Sequence, residues 1–400
     1  MTLRLAISKP LLSCCYGSSK VVRKGLVVTH WRTLSGWRRA VSDAERVVGY
    51  PTSFLGLSYL LSDEISNVMS HFRQLASGRH IHPLFRTLRD FLFDGQENVH
   101  IRGLVILLIS KATNCIPETR RISGQQLDAT GILQSQRSLA EIAEMIHMGY
   151  LVHAGIVDVQ KTVSNEEDPL VTKALNYGNT MSILGGDFLL ANASTELAKL
   201  HNTKAVELIS TAISEMMEGG YMESVLHYPN THNNKQTSYC PTLSSDFDWL
   251  LPPDTVDETL HLWLVWIYLC WGSLLAKSCH VSTLLANQHD DIRLAASCYG
   301  QHFVITRQLS RDLQPFVGTT GRHELKPMNG VVIKAKSCDQ LDEDADHDQS
   351  IIQSLRESVI VEDVREVCRY HGRKATESLE AFPASEAKDT LQQMVRVLVQ

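Results

Sequence analysis

An all-α fold follows from three features of this 400-residue chain. Apolar residues recur at three- and four-residue steps over long stretches, and few segments alternate with the two-residue period of a strand. Helix formers are abundant, with only 12 prolines to interrupt them. At 44% apolar and 20% charged, the composition is that of an ordinary globular protein whose core can be sizeable, in one large domain or two smaller ones.

The first 42 residues differ from the rest. Eight of the 38 basic residues, Arg4, Lys9, Lys20, Arg23, Lys24, Arg32, Arg38 and Arg39, lie there, and the first acid is Asp43. An Arg- and Ser-rich, acid-free stretch able to form a basic amphipathic helix reads as a mitochondrial transit peptide over residues 1–41, removed on import, with the folded domain spanning 42–400. A disordered basic tail is the other reading. Without that stretch 30 basic residues face 44 acidic ones, a formal charge near −14 that argues against nucleic acid as a partner. The nine cysteines form neither a C-x-x-C pair nor a zinc-spaced His/Cys cluster, so reduced thiols are the simplest reading.

In chain order, Ser42 can cap a helix with Glu45 three residues on, and Pro51 stops it. Leu55 to Ala76 and Pro83 to Phe93 carry helical patterns, and His100 to Ala112 is apolar enough to be a buried helix. The stretch that organises the chain runs from Gln136 to Asp158. Leu139, Ile142, Ala143, Ile146 and Tyr150 form its core face, while Glu144, His147, Leu151, Ala154 and Asp158 mark a second stripe that loses its ionisable groups at Leu151 and Ala154.

Tyr221 to Asp257 is polar and aperiodic, which predicts a loop over about 221–258. Leu262 to Ala276 then gives 15 residues without a charge, three of them Trp. A membrane span needs about 20, so a core or interface helix is expected. A helix that runs through Tyr299 to Phe316 can be ended early by Pro315. Residues 318–350 read as a second loop, whose acids from Asp339 to Asp348 lack the glycine and closing glutamate of a calcium loop and suit a solvated linker.

EMIHMGYLVHAGIVD resembles the trans-isoprenyl diphosphate synthases, whose helix reads E-x-x-H-x-x-x-L-x-H-D-D-x-x-D. Glu144, His147, Leu151, His153 and Asp158 match, but Ala154 and Gly155 replace the first two aspartates. YGNTMSILGGDFLLANA matches the family's G-N-x-x-A-x-L-x-G-D-x-L-L-A-x-A helix closely, which assigns Asp187 a structural or pocket-edge role and Gly185 and Gly186 a close helix crossing. The stretch from Val359 on, with Pro383 inside it, resembles the family's closing helical hairpin. Elsewhere the matches fail where ligands should be. In the substrate-binding G-G-K-R-x-R-P loop only the second arginine survives, as Arg102, with Val99, His100 and Gly103 in place of lysine, arginine and proline. The R-R-G after the central helix is replaced by QKTVSNEEDP. Cys270 and Trp271 take the places of a Lys-Thr pair. In the second aspartate-rich motif Gln308 and Asp312 match, but Arg307, Arg311 and Pro315 replace a phenylalanine and two aspartates.

The resemblance, over about residues 42 to 400, implies the single-domain all-α isoprenyl diphosphate synthase (terpenoid synthase) fold. It implies no catalytic residue and no metal site in this chain, with Asp158 and Asp312 as remnant acids and Asp312 facing a base, Arg311, where an ion should sit. Arg102, His147 and Gln308 are substrate-binding remnants. The ending, with YPTS near the start and RSLAE before the central helix, points to the degenerate subunits of heteromeric synthases. Their partner is a catalytic polyprenyl diphosphate synthase subunit 1, in a heterodimer or heterotetramer in the mitochondrial matrix with peripheral inner-membrane association. That partner binds the Mg²⁺, this chain binds no cofactor, and the product is the ubiquinone side chain. The apolar runs Leu104 to Ile109 and Ile183 to Leu190 are where partner contacts are expected. A prenyl-lipid-binding or scaffold protein with this fold and no synthase partner is the alternative, and an active prenyl transferase is a second rival that the lost aspartates oppose.

Overall fold

The computed structural model describes residues 27–49, 101–114, 130–162, 169–227, 245–253, 255, 257–317, 325, 328–338 and 348–400. The patterns over Leu55–Ala76 and Pro83–Phe93, Pro51, Val99, His100 and the acidic run Asp339–Asp346 lie outside them. The described residues form helices and no strand. These are α1 (Val27–Val48), α2 (Ile101–Thr113), α3 (Gln134–Ala154), α4 (Pro169–Lys199), α5 (Thr203–His227) and α6 (Glu258–Ile267), which passes through a π-turn, Tyr268–Gly272, into α7 (Ser273–Leu285). Then come α8 (Asp290–Val317), α9 (Gly330–Ser337), α10 (Asp348–Leu355), α11 (Val359–Ser378) and α12 (Glu386–Val399).

Two apolar cores fill the bundle. One gathers α1, α2, α3, α7 and α12 with the inner faces of α4 and α5; the other gathers α6, α9, α10, α11 and the carboxyl-terminal half of α8. Trp271, in the π-turn, packs against both. The helical stretch Glu258–Leu285 around it is long and apolar enough to cross a membrane, but Trp263, Leu264, Trp266 and Leu275 are all buried within the protein, so it is a core helix, as expected of its uncharged run.

Close helix crossings depend on two glycines. A Cβ on Gly186 would lie 2.1 Å from His153 Nε2, so the imidazole at the end of α3 fills the space that a side chain on α4 would take. Gly185, by contrast, faces Val152 at an ordinary 3.8 Å, so the close packing expected of both belongs to Gly186. A Cβ on Gly300 would come within 2.9 Å of the Ala276 Cα, bringing α8 against the backbone of α7. Polar side chains tie the rest. Buried Gln136 donates to the Ser282 carbonyl (2.8 Å) and accepts from Asn114 Nδ2 (2.8 Å) and the Leu133 amide (3.0 Å), joining the end of α2 and the start of α3 to α7.

Element boundaries depart from the sequence reading in four places. Ser42 does not start a helix but lies within α1, because nothing between Val27 and Val48 breaks the helix and the S-x-x-E match is incidental to it. α3 stops at Ala154, so Asp158 is off the helix altogether. The expected loop over 221–258 is entered by α5 as far as His227 and holds a 3₁₀ turn at Ser245–Leu250, and the loop over 318–350 contains α9, capped by Asn329 Oδ1 on the Val331 and Val332 amides. Pro315 sits inside the last turn of α8, which ends two residues later.

Between α8, α11 and the 3₁₀ turn lies a buried histidine pair. His371 Nε2 lies 2.9 Å from the Leu250 carbonyl and donates to it, and the two Nδ1 atoms of His371 and His302 are 2.8 Å apart. Burial favours the neutral form of both rings, in which His371 Nδ1 accepts from His302 Nδ1. Burial pushes His302 down to about 4, with Lys374 adding to it, and His371 down to about 3, with His302 adding to it. The unfolded chain protonates these groups near 6.5, so it binds more protons than the fold between there and pH 4, and stability falls as pH drops through that window.

Two outcomes are expected. Gly300→Ala should cost about 1–3 kcal/mol in urea unfolding, since the added methyl meets backbone that cannot give way. The melting temperature should fall from pH 6.5 to pH 4, and His371→Gln, which can keep the bond to Leu250, should flatten that slope while lowering stability at pH 7.

Candidate functional site

The inner ends of α2 and α3 carry charge into the core. Gly103, in the first turn of α2, donates its amide to Glu144 Oε1 at 2.7 Å, so a buried carboxylate sits at a helix amino end, where exposed N–H groups favour an anion. Arg102 beside it is 5% exposed. Burial pushes its guanidinium down to about 10, with Glu144 opposing and the charge of Arg311 on α8 assisting. Its Cζ lies 5.7 Å from the centre of the Trp271 ring, and His147 meets the same ring edge-on at 5.5 Å, as does Tyr150 at 5.9 Å. Trp271 thus lies against both polar remnants. Cys270, its neighbour, turns the other way, against Gly219 of α5.

The sequence-derived candidates fall into three places. Arg102 and His147 come together, on Trp271. Gln308 and Asp312 form a separate unit on α8: Gln308 Nε2 donates to Asp312 Oδ1 at 3.0 Å, Asp312 Oδ2 accepts the Gly330 amide at 2.9 Å, and the Asp312 carbonyl accepts Asn329 Nδ2 at 2.9 Å. One Asp312 carboxylate oxygen thus sits on the amino end of α9, because that helix starts against α8 and needs an acceptor there. Asp158 lies past the end of α3, exposed, accepting the Gln160 amide at 3.1 Å, and the loop that holds it is pinned by Asn179, whose side chain bonds both the amide (2.9 Å) and the carbonyl (2.8 Å) of Val157.

These residues do not fit a magnesium ion bound to diphosphate. Mg²⁺ needs near-octahedral oxygen donors, usually recruited by several carboxylates together. Ala154 and Gly155 offer no side-chain oxygen, both Asp312 oxygens accept protein hydrogen bonds, and among the described residues no three His, Cys, Asp or Glu side chains converge as ligands would. Arg307 points elsewhere, its Cζ 5.7 Å from the ring centre of Trp37.

A model of the family described as polyprenyl synthetase matches residues 95–324. The chain belongs to the polyprenyl synthetase family. It is 38% identical to the rat protein "All trans-polyprenyl-diphosphate synthase PDSS2" over 379 residues, covering 91% of this chain and 87% of that one. It is 28% identical to the Neurospora crassa "Probable hexaprenyl pyrophosphate synthase, mitochondrial", covering 90% of this chain and 87% of that one. Among solved structures, the geranylgeranyl pyrophosphate synthetase of the archaeon Geoglobus acetivorans shares the fold, with a TM-score of 0.55 at 19% identity over 94% of this chain and 99% of that one. The all-α isoprenyl diphosphate synthase fold expected from the sequence is therefore the one observed.

Against this polyprenyl synthetase frame, the two apolar runs expected at an interface behave differently. Leu104 to Ile109 are buried in the chain's own core, so α2 offers no surface, because its neighbours α3, α7 and α12 enclose it. On α4 the inner Leu189 is likewise buried, but Ile183, Leu184 and Phe188 are 46%, 57% and 44% exposed. Met217 and Tyr221 on α5 are exposed as well. Sequence reasoning also missed Trp271 as a feature of the site. The signal was the aromatic in a position the family gives to a small polar residue.

Because Asp312 holds the start of α9, Asp312→Ala should destabilise the protein by about 1–3 kcal/mol, the cost of leaving buried donors unpaired. Thermal unfolding with and without Mg²⁺ checks this, and the loss should be the same in both.

Proposed function

We propose that this chain is a non-catalytic but required subunit of a heteromeric trans-polyprenyl diphosphate synthase, which elongates an allylic diphosphate with isopentenyl diphosphate to make the ubiquinone side chain. The observation that carries this reading is the setting of Trp271 against Arg102 and His147, together with an Asp312 committed to the start of α9. The polar groups that would meet substrate are used to hold the fold. The partner is a catalytic polyprenyl diphosphate synthase subunit that brings the aspartates and the Mg²⁺. The exposed Leu184, Phe188, Met217 and Tyr221 support an interface on α4 and α5, since apolar side chains at this exposure favour burial against a second subunit. The mitochondrial matrix as its location is supported by the basic, acid-free first 42 residues and by the compartment in the name of the N. crassa relative.

The test mixes this chain with its catalytic partner. Neither alone should make long-chain product, and the mixture should. Leu184→Asp combined with Phe188→Asp should abolish co-purification and mixed activity while leaving the melting temperature of the isolated chain within a few degrees, whereas Asp158→Ala should keep most activity. Product made by this chain alone, or full loss of activity from Asp158→Ala in an intact complex, would overturn the reading. A chain that co-purifies with no synthase would instead fit a prenyl-lipid-binding or scaffold protein.

A further inference from the structure

The amino-terminal stretch that reads as a leader does not end where its composition does. From Gly36 onward α1 lies on the body of the protein: Ala40 is 3% and Val41 8% exposed, and both belong to the core that Ala44, Val47 and Val48 continue. Trp37 packs on the same core and carries the Arg307 guanidinium over its ring at 5.7 Å. The outward positions are Arg38, Arg39, Ser42 and Asp43, all exposed. This segment is a basic amphipathic helix, the pattern that import signals also use, and that is why charge alone extends the leader to residue 41.

We propose that proteolytic maturation cuts on the amino-terminal side of Gly36, so that Trp37, Ala40 and Val41 remain in the working protein. There they serve as a clasp that joins α1 to α8 through Trp37 and Arg307. A cut after Val41 would strip three side chains from the first core and release Arg307 from its ring. The proposal rests on the mitochondrial reading for the cut itself, and on packing alone for the clasp, so the two are tested apart.

For the cut, the full chain bearing a carboxyl-terminal tag is recovered from mitochondria and its first residue read by mass spectrometry. A first residue from the twenties to Gly36 is expected, and any start beyond Gly36 overturns the proposal. For the clasp, variants of the full chain are melted. Val41→Asp should lower the melting temperature by several degrees or prevent folding, Trp37→Ala should lower it by less, and Arg38→Ala should leave it unchanged. If Val41→Asp and Trp37→Ala melt with the parent, residues 36–41 are leader and the proposal falls. A chain recovered with Met1 intact would sink the import reading, and the melting series would then decide the clasp.

Discussion

A buried arginine beside a buried carboxylate is the constraint around which this bundle is arranged. Burial removes both charges from water, a cost recovered only if each finds oriented partners. Glu144 takes the Gly103 amide at the start of α2, and Arg102 lies along the Trp271 face within the field of Glu144. Each contact joins a different pair of elements: α2 to α3 through the carboxylate, α2 to the π-turn through the ring. Trp271 also packs against both apolar cores, so the side chain that lies under the cation also joins the two halves of the molecule.

The same economy is visible on α8. A carboxylate in a helical bundle can be oriented by the donors around it and serve as the cap of a neighbouring helix. Asp312 accepts from Gln308 and from the Gly330 amide, which orders α9 against the second core. Once its companions are Arg311 and Pro315, the remaining acid is more useful as a cap than as a lone ligand.

How much of this could be read from sequence depended on the range of the interaction. Periodicity found α3, whose buried stripe is written locally in its spacing, while α4, α8 and the closing hairpin were read from their resemblance to the family's helices. The end of α3 was missed because the helical stripe can be extended to Asp158 on paper, although the described helix stops at Ala154. α9 was missed because its start is made by Asn329 and by Asp312, the latter 18 residues from Gly330 in sequence. Hydrophobicity told that the run around Trp271 is core, but not that Trp271 itself is half-buried nor which way it points. The distinction between Leu107, enclosed by its own core, and Leu184, left at the surface, was equally hidden, since both stand in apolar runs.

What the fold keeps is as informative as what it loses. The α3–α4 crossing survives through Gly186 and His153, and Asn179 still clamps the Val157 backbone, so the helix whose motif is best preserved is held in place by contacts that need no ligand. That crossing fixes the azimuth of α4 and so decides which of its residues face outward. Leu184 and Phe188 are exposed because Gly186 and Leu189 turn inward. The packing of α3 against α4 thus determines which apolar side chains of α4 stay at the surface.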